Sequence, residues 1–389
     1  MDDAGHAPAE PLNCDVARGA SNRVPSSGDV PLRAAKTASE LGLPLDDVVI
    51  LFACNERFTP YLSVTLQSVI EHVDPARRYD IIVLSNDITP QSMQVLHDQV
   101  ARDNVGIGFL DAVSAMGGIK LPRHGHFAVE TYYRLLAPEL LDRVEKVVYL
   151  DSDLVVLRDL AELYDTDVTG CLLAATRDAD TAGQCDGYDS DILPYLRDVV
   201  KLDDPHAYFQ AGVLLLNLEE FRKEYSTSAM IELAASRHWH WLDQDVLNHL
   251  ARGEYVRLAT NWNLLADWQK LRRTHIIGCA PEEIRAEYET ARLDPYIVHY
   301  AGPDDRPWLY PECDFGDLFW DFASRCPFYG ELQRRLDASR HSVTGLAKRF
   351  QVLVLFKIGQ PLADLLLPPN TRRRAFFVRI FHKVAEQLM

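Results

Sequence analysis

Val48-Val49-Ile50-Leu51-Phe52 is an unbroken apolar run with β-branched residues, the pattern of a strand buried on both faces. The period then changes. Between Tyr61 and His72 the apolar positions Leu62, Leu66, Val69 and Ile70 fall at helical spacing, and Asp80-Ile81-Ile82-Val83-Leu84 returns to a strand pattern. The alternation continues with a helix from Ser92 to Val100, a strand near Gly106 to Leu110, a helix around Thr131 to Leu136 and a strand at Lys146-Val147-Val148-Tyr149-Leu150. Such alternation predicts an α/β fold: a mixed, mostly parallel central sheet flanked by helices, with ligands bound beyond the carboxyl ends of the strands. It fades after about residue 310.

The two ends follow other rules. Residues 1–46 are rich in Ala, Pro, Gly, Ser and Asp without periodicity, and are expected to form a disordered leader because they bury too little surface to offset their ordering entropy. Residues 47–330 are then expected to form the main folded domain, and residues 331–389 a basic, helical tail. From 340 onward the tail carries Arg340, Lys348, Arg349, Lys357, Arg372, Arg373, Arg374, Arg379 and Lys383 against Asp364 and Glu386. Interleaved apolar residues such as Phe350, Leu353, Phe356, Phe377 and Phe381 predict amphipathic helices that lie on an anionic membrane; a helix pair docked on the body is the plainer alternative.

Composition narrows the function. The formal charge of −17 opposes binding to a phosphate backbone, so no nucleic-acid partner is expected, and 47% hydrophobic residues suffice for a sizeable core. The seven cysteines are scattered and odd in number, as in a reduced, cytoplasmic protein. The first residues are acidic and polar where a secretory signal would be basic and then apolar, and no run of about 18 apolar residues appears.

The chemistry concentrates at Asp151-Ser152-Asp153, two carboxylates placed directly after an apolar strand, suited to a hard divalent cation whose shell is completed by phosphate oxygens. A lone pair of this kind is more often a turn or a helix cap. Three further elements change the weight: Tyr208 to Asn217, where Gly212 admits close backbone approach; Trp241-Leu242-Asp243-Gln244-Asp245, where Asp243 is also a candidate N-cap; and Ile297-Val298-His299-Tyr300-Ala301-Gly302-Pro303.

These elements, in this order and together with Phe52-Ala53, Thr131-Tyr132-Tyr133-Arg134-Leu135 and Pro307-Trp308, resemble the retaining glycosyltransferases of family 8 from about Val48 to Trp308. The resemblance implies a GT-A type nucleotide-diphospho-sugar transferase fold and a hexosyltransferase that takes UDP-galactose or UDP-glucose with Mn²⁺ or Mg²⁺. It assigns Asp151, Asp153 and His299 to the metal, Arg306 to the diphosphate, and Ala53, Asn55 and Phe58 to the uracil and ribose. Arg134 and Asp178 match donor-sugar contacts. Asp243 and Gln244 match the catalytic pair beside the anomeric carbon, and Ser152, Gln210, Ala211 and Gly302 complete the donor-binding set. The acceptor implied is a glycan or glycolipid such as lipopolysaccharide core, on the inner face of the cell membrane.

Two positions depart from the family pattern. Gln210 stands where an asparagine is usual, which moves the amide by about a bond length, and Asn55 stands where the base-binding loop is usually acidic. Because Gln244 is a poor nucleophile, the resemblance favours front-face attack by the acceptor through an oxocarbenium-like transition state over a covalent intermediate. A nucleotidyltransferase would bring a glycine- and lysine-rich loop that Phe52 to Arg57 lacks. A non-catalytic adaptor remains the alternative of a different class.

Overall fold

The computed structural model describes residues 37–112, 129–267, 272–302 and 306–341, with isolated positions beyond. The main sheet has seven strands in the order β3-β2-β1-β4-β7-β6-β8: β1 Val48–Ala53, β2 Tyr79–Ser85, β3 Val105–Asp111, β4 Lys146–Leu150, β6 Leu173–Arg177, β7 Phe209–Asn217 and β8 Val256–Arg257. All its pairings are parallel except those of β7, which runs antiparallel to both β4 and β6. The expected strands at 48–52, 80–84, 106–110 and 146–150 are β1 to β4. Their unbroken apolar runs are explained by packing on both faces. Val49, Leu51, Val147 and Tyr149 enter one core; Val48, Ile50, Phe52, Val148 and Leu150 enter the other. Each full burial of a side chain of this size contributes about 1.5–3 kcal/mol.

Helix α1 (Thr59–Glu71) and helix α2 (Pro90–Val100) follow β1 and β2, and the Thr89 hydroxyl caps α2 by accepting from the Ser92 amide. The helix expected around Thr131 to Leu136 is instead a 3₁₀ run, Val129–Leu136. Over so few residues, periods of 3.0 and 3.6 cannot be told apart by pattern. The tighter winding matters because side chains at i and i+3 eclipse, which stands Thr131 directly in line with Arg134.

Order also begins earlier than the composition suggests. Residues Ala38–Leu41 form a short 3₁₀ turn, Ala38 is fully buried, and the Leu45 amide donates to the buried Asp80 carboxylate at 2.7 Å. Leu41 and Leu43 lie where a Cβ at Gly108 or Gly106 of β3 would stand, 2.6 and 2.7 Å away. The small residues of this edge strand therefore admit a cover over one of its faces. Among the cysteines, Cys54, Cys185, Cys279, Cys313 and Cys326 are free thiols, whereas Cys171 is disulfide-bonded, so full reduction does not hold for that position.

A second sheet of three strands has the order β5-β10-β9: β5 Leu154–Val156, β9 Leu264–Leu265 and β10 Ile297–His299. Strand β5 starts one residue after Asp153, so Asp151-Ser152-Asp153 is the joint between the two sheets. Helices Gly316–Ala323 and Tyr329–His341 close the described body. No helix among the described residues is long and apolar enough to cross a membrane. Most of the basic tail lies outside the described residues.

Candidate active site

Strand pairing brings His299 to the paired carboxylates. Strand β10 runs antiparallel to β5 with His299 opposite Leu154, and the Tyr300 amide donates to the Asp153 carbonyl at 3.0 Å. His299 is buried, and its Nε2 lies 3.3 Å from Asp153 Oδ1 and 3.7 Å from Asp151 Oδ2. One ligand atom from each of the three residues fits within 4.8 Å of the others, a spacing suited to a single cation. Burial alone would raise the Asp153 carboxyl; the hydrogen bond and charge of His299, with the charge of Arg306, hold it below the usual carboxylate range.

Two oxygens and one imidazole nitrogen form a donor set for a borderline or hard divalent ion such as Mn²⁺ or Mg²⁺. The space around them is reserved by Gly212 on β7. A Cβ there would stand 2.2 Å from His299 Cε1 and 2.8 Å from Asp151 Oδ2. Gly212→Ala is accordingly expected to weaken Mn²⁺ binding about 30-fold, as displaced ligands do, measured by calorimetric titration; unaltered affinity would refute the cradle.

The opening of β7 is irregular. Its register against β6 shifts between Ala175 and Arg177, leaving ladder groups for side chains to satisfy. The Ala211 amide donates to Gln244 Oε1 at 2.9 Å, the Ala211 carbonyl accepts from Arg134, and the Gly212 amide donates to Gln210 Oε1 at 2.5 Å. The sequence expectation that Gln210 faces the sugar is thereby modified: it lines the cleft, but its oxygen turns onto its own strand.

Arg134 is buried between the metal-type cluster and the candidate catalytic pair. It donates to Asp151 Oδ1 at 2.9 Å, stacks 4.0 Å over the Tyr149 ring and approaches Asp243 Oδ2 at 2.8 Å. Its Nε–H points instead to the Thr131 carbonyl, so Asp243 Oδ2 feels the charge without receiving an aligned hydrogen bond. Thr131, eclipsed with Arg134, donates to Asp243 Oδ1 at 2.5 Å. Burial outweighs both aids and pushes the Asp243 carboxyl up to about 6.

Gln244 spans from β7 to Asp178, with Nε2 donating to Asp178 Oδ2 at 3.2 Å. Asp178 Oδ1 accepts from the Asp180 and Thr181 amides as the N-cap of the helix Ala179–Gly183, and burial raises its pKa. Asp245 lies below, accepting from the Tyr195 and Tyr208 hydroxyls and the Trp241 amide, each at 2.7 Å. It anchors the turn at Leu242, whose φ of 49° is left-handed. Asp243 is not the N-cap of its helix, Leu242–Ala251, which begins one residue before it.

The remaining expected residues surround the same cleft of about 360 Å³. Ser152 Oγ donates to the Ala53 carbonyl at 3.0 Å, tying the carboxylate pair to the end of β1. Asn55 Oδ1 accepts from the Phe58 amide at 3.0 Å, so its carbonyl serves a turn while its amide nitrogen stays outward of that bond. Phe58, Gly302 and Arg306 line the same cleft. Arg306 Nε is buried with no hydrogen-bond partner among the described residues. Thr131, Tyr149 and Asn263, which sequence reasoning did not assign to the site, touch Asp243, Asp151 and His299 respectively.

Fold and cleft together define a GT-A type glycosyltransferase. The model of the family "Glycosyl transferase family 8" matches residues 49–312, well over half of the chain, which therefore belongs to that family. General stress protein A of Bacillus subtilis is 24% identical over 272 residues, spanning 68% of this chain and 88% of its own length. The lipopolysaccharide 1,2-glucosyltransferase of Escherichia coli is 26% identical over 195 residues, 47% of this chain and 52% of its own. Among solved structures, the bifunctional glycosyltransferase WbbM superposes with a TM-score of 0.67 at 26% identity over 76% of this chain and 53% of that one. The galactosyltransferase LgtC, solved with donor and acceptor sugar analogues, gives a TM-score of 0.58 at 23% identity over 72% of this chain and 96% of its own.

Proposed function

We propose that this chain is a retaining, metal-dependent hexosyltransferase that moves galactose or glucose from a UDP-sugar to a glycan or glycolipid acceptor such as lipopolysaccharide core. One observation carries the reading. Among the buried side-chain atoms of cleft-lining residues that have no hydrogen-bond partner among the described residues are two of opposite polarity, the donor Arg306 Nε and the acceptor Asp243 Oδ2. Buried polar groups are rarely left unpaired. A diphosphate satisfies the first and a sugar hydroxyl the second, with Asp151, Asp153 and His299 between a nucleotide and its sugar.

Asp151, Asp153 and His299 would hold Mn²⁺ or Mg²⁺, which would supply Lewis-acid stabilisation of charge on the departing diphosphate. Arg306 contributes a fixed positive charge to the same group. Ala53, Asn55 and Phe58 hold the nucleoside, with Ser152 fixing the strand end beneath them. Arg134, Asp178, Gln210, Ala211 and Gly302 shape the donor pocket, and Asp243 and Gln244 flank the anomeric carbon. The carboxylates beside that carbon are poorly placed to attack it. Asp178 uses both oxygens on amides, and Asp243 is buried against Thr131 and Arg134. Front-face attack by the acceptor hydroxyl, its proton passing to the leaving diphosphate, fits this arrangement.

The similarity to the E. coli lipopolysaccharide glucosyltransferase and to LgtC supports a hexose donor and a saccharide acceptor. A panel of UDP-galactose and UDP-glucose with Mn²⁺, with and without EDTA and read by mass spectrometry, tests the proposal: metal-dependent UDP release is expected, and its absence with every donor favours a non-catalytic adaptor. The basic tail favours a peripheral position on the inner membrane face. Removal of residues 342–389 is expected to abolish co-sedimentation with anionic vesicles while sparing donor hydrolysis; retained vesicle binding counts against that role.

A further inference from the structure

Behind His299 stands a chain of side-chain amides whose polarity is fixed from one end, and from it we infer that Asn263 and Gln210 are positioning residues that set the tautomer of His299. The inference rests on the metal-site reading of Asp151, Asp153 and His299. It begins at a group whose role is certain, because a backbone N–H can only donate. The Gly212 amide donates to the Gln210 side chain at 2.5 Å, so the atom there is the oxygen Oε1. That oxygen also lies 2.6 Å from the Asn263 side chain. Since it accepts, Asn263 presents Nδ2 to it, and the other end of the same amide is Oδ1.

Asn263 Oδ1 lies 2.9 Å from His299 Nδ1. An amide oxygen only accepts, so Nδ1 carries the imidazole proton. Nε2 is thereby left facing the carboxylates at 3.3 and 3.7 Å, a donor to Asp153 while it is protonated and a lone pair for a metal once it is not. Turning either amide over would set like against like at a contact beside a side chain that is 1% exposed. The geometry thus removes the usual ambiguity of amide and imidazole assignment, because each step follows from the backbone donor.

The fold explains how these residues meet. Asn263 ends the 3₁₀ turn Thr260–Asn263 and leads into β9, which pairs with β10 so that Leu265 stands opposite His299. Gln210 sits in the irregular opening of β7, where the Gly212 amide is released from the ladder. The added methylene of glutamine lets one oxygen curl back to an amide two residues on and still reach Asn263. The departure at position 210 therefore acquires a role: this residue holds the histidine's partner in one orientation. Partners of this kind orient a ligating imidazole and influence metal affinity.

The test uses the full-length protein and Mn²⁺ alone, with free Mn²⁺ counted by electron paramagnetic resonance, so that no turnover is needed. Asn263→Leu is expected to weaken binding about 10–100-fold and Gln210→Met about tenfold, the range found when partners of metal ligands are removed. Gln210→Glu, which still accepts from both the Gly212 amide and Asn263, is expected to bind within about threefold of the unmodified protein. Unchanged affinity in a folded Asn263→Leu protein would overturn the inference, as would a loss in Gln210→Glu equal to that in Gln210→Met. Nitrogen-15 spectra of the metal-free protein, with His299 assigned by its absence in His299→Gln, give an independent readout. Protonated Nδ1 is expected, and an unprotonated Nδ1 would overturn the relay even if the variants failed to fold. Absence of any Mn²⁺ binding by the unmodified protein would defeat the metal reading itself, and the spectra would still decide the tautomer.

Discussion

Asp153→Asn is expected to lower UDP-sugar turnover at saturating Mn²⁺ by about 10³-fold or more, the equivalent of roughly 4 kcal/mol at the transition state. The side chain keeps its size, so the fold should be little changed. What is lost is a charged oxygen 3.3 Å from His299 Nε2 that also feels the charge of Arg306. An amide is also a weaker ligand for a hard cation than a carboxylate. Initial rates across a Mn²⁺ series check the outcome. Near-normal turnover in a protein with normal thermal unfolding would remove Asp153 from the chemistry.

Arg134→Ala is expected to cost stability as well as activity, about 3–5 kcal/mol, because removing one member of a buried ion pair leaves the other uncompensated. Here two carboxylates lose their partner, since Arg134 reaches both Asp151 and Asp243 and is itself 4% exposed. The Ala211 carbonyl loses its donor too. Urea unfolding of the variant measures the stability term. Arg134→Lys should not restore it, since an ammonium cannot address Asp151, Asp243 and the two carbonyls in one plane. A fall of less than about 1 kcal/mol, the size typical of an exposed pair, would contradict the bridging role.

The strands of the main sheet were legible because each is buried on both faces and so is written as a continuous apolar run. Asp151 and Asp153 were legible for a related reason, since an abrupt change from Leu150 to acid marks the end of such a strand. Asn263 carried no comparable signal. In Thr260-Asn261-Trp262-Asn263 it is one of two asparagines before a two-residue strand, and only the pairing of β9 with β10 distinguishes it. Thr131 was hidden by winding: its alignment with Arg134 depends on three residues per turn, which a run of eight does not reveal. Gln210 stood out in the sequence as a departure from the resemblance, but its orientation depends on a free Gly212 amide, and register shifts leave no mark in composition. Similarly, residues 38–45 look like polar leader, yet Leu41 and Leu43 find glycines to pack on.

The irregular start of β7 has a consequence for anyone who scans this chain by mutation. Because Arg134, Gln244 and Gln210 complete backbone bonds that a regular ladder would make for itself, each belongs to the scaffold as much as to the cleft. Cellular abundance and catalytic output should therefore fall together at these three positions. At Arg306, whose Nε has no hydrogen-bond partner among the described residues, output should fall while abundance holds. Inactivity alone would not separate the two groups; a paired measurement of how much protein survives would.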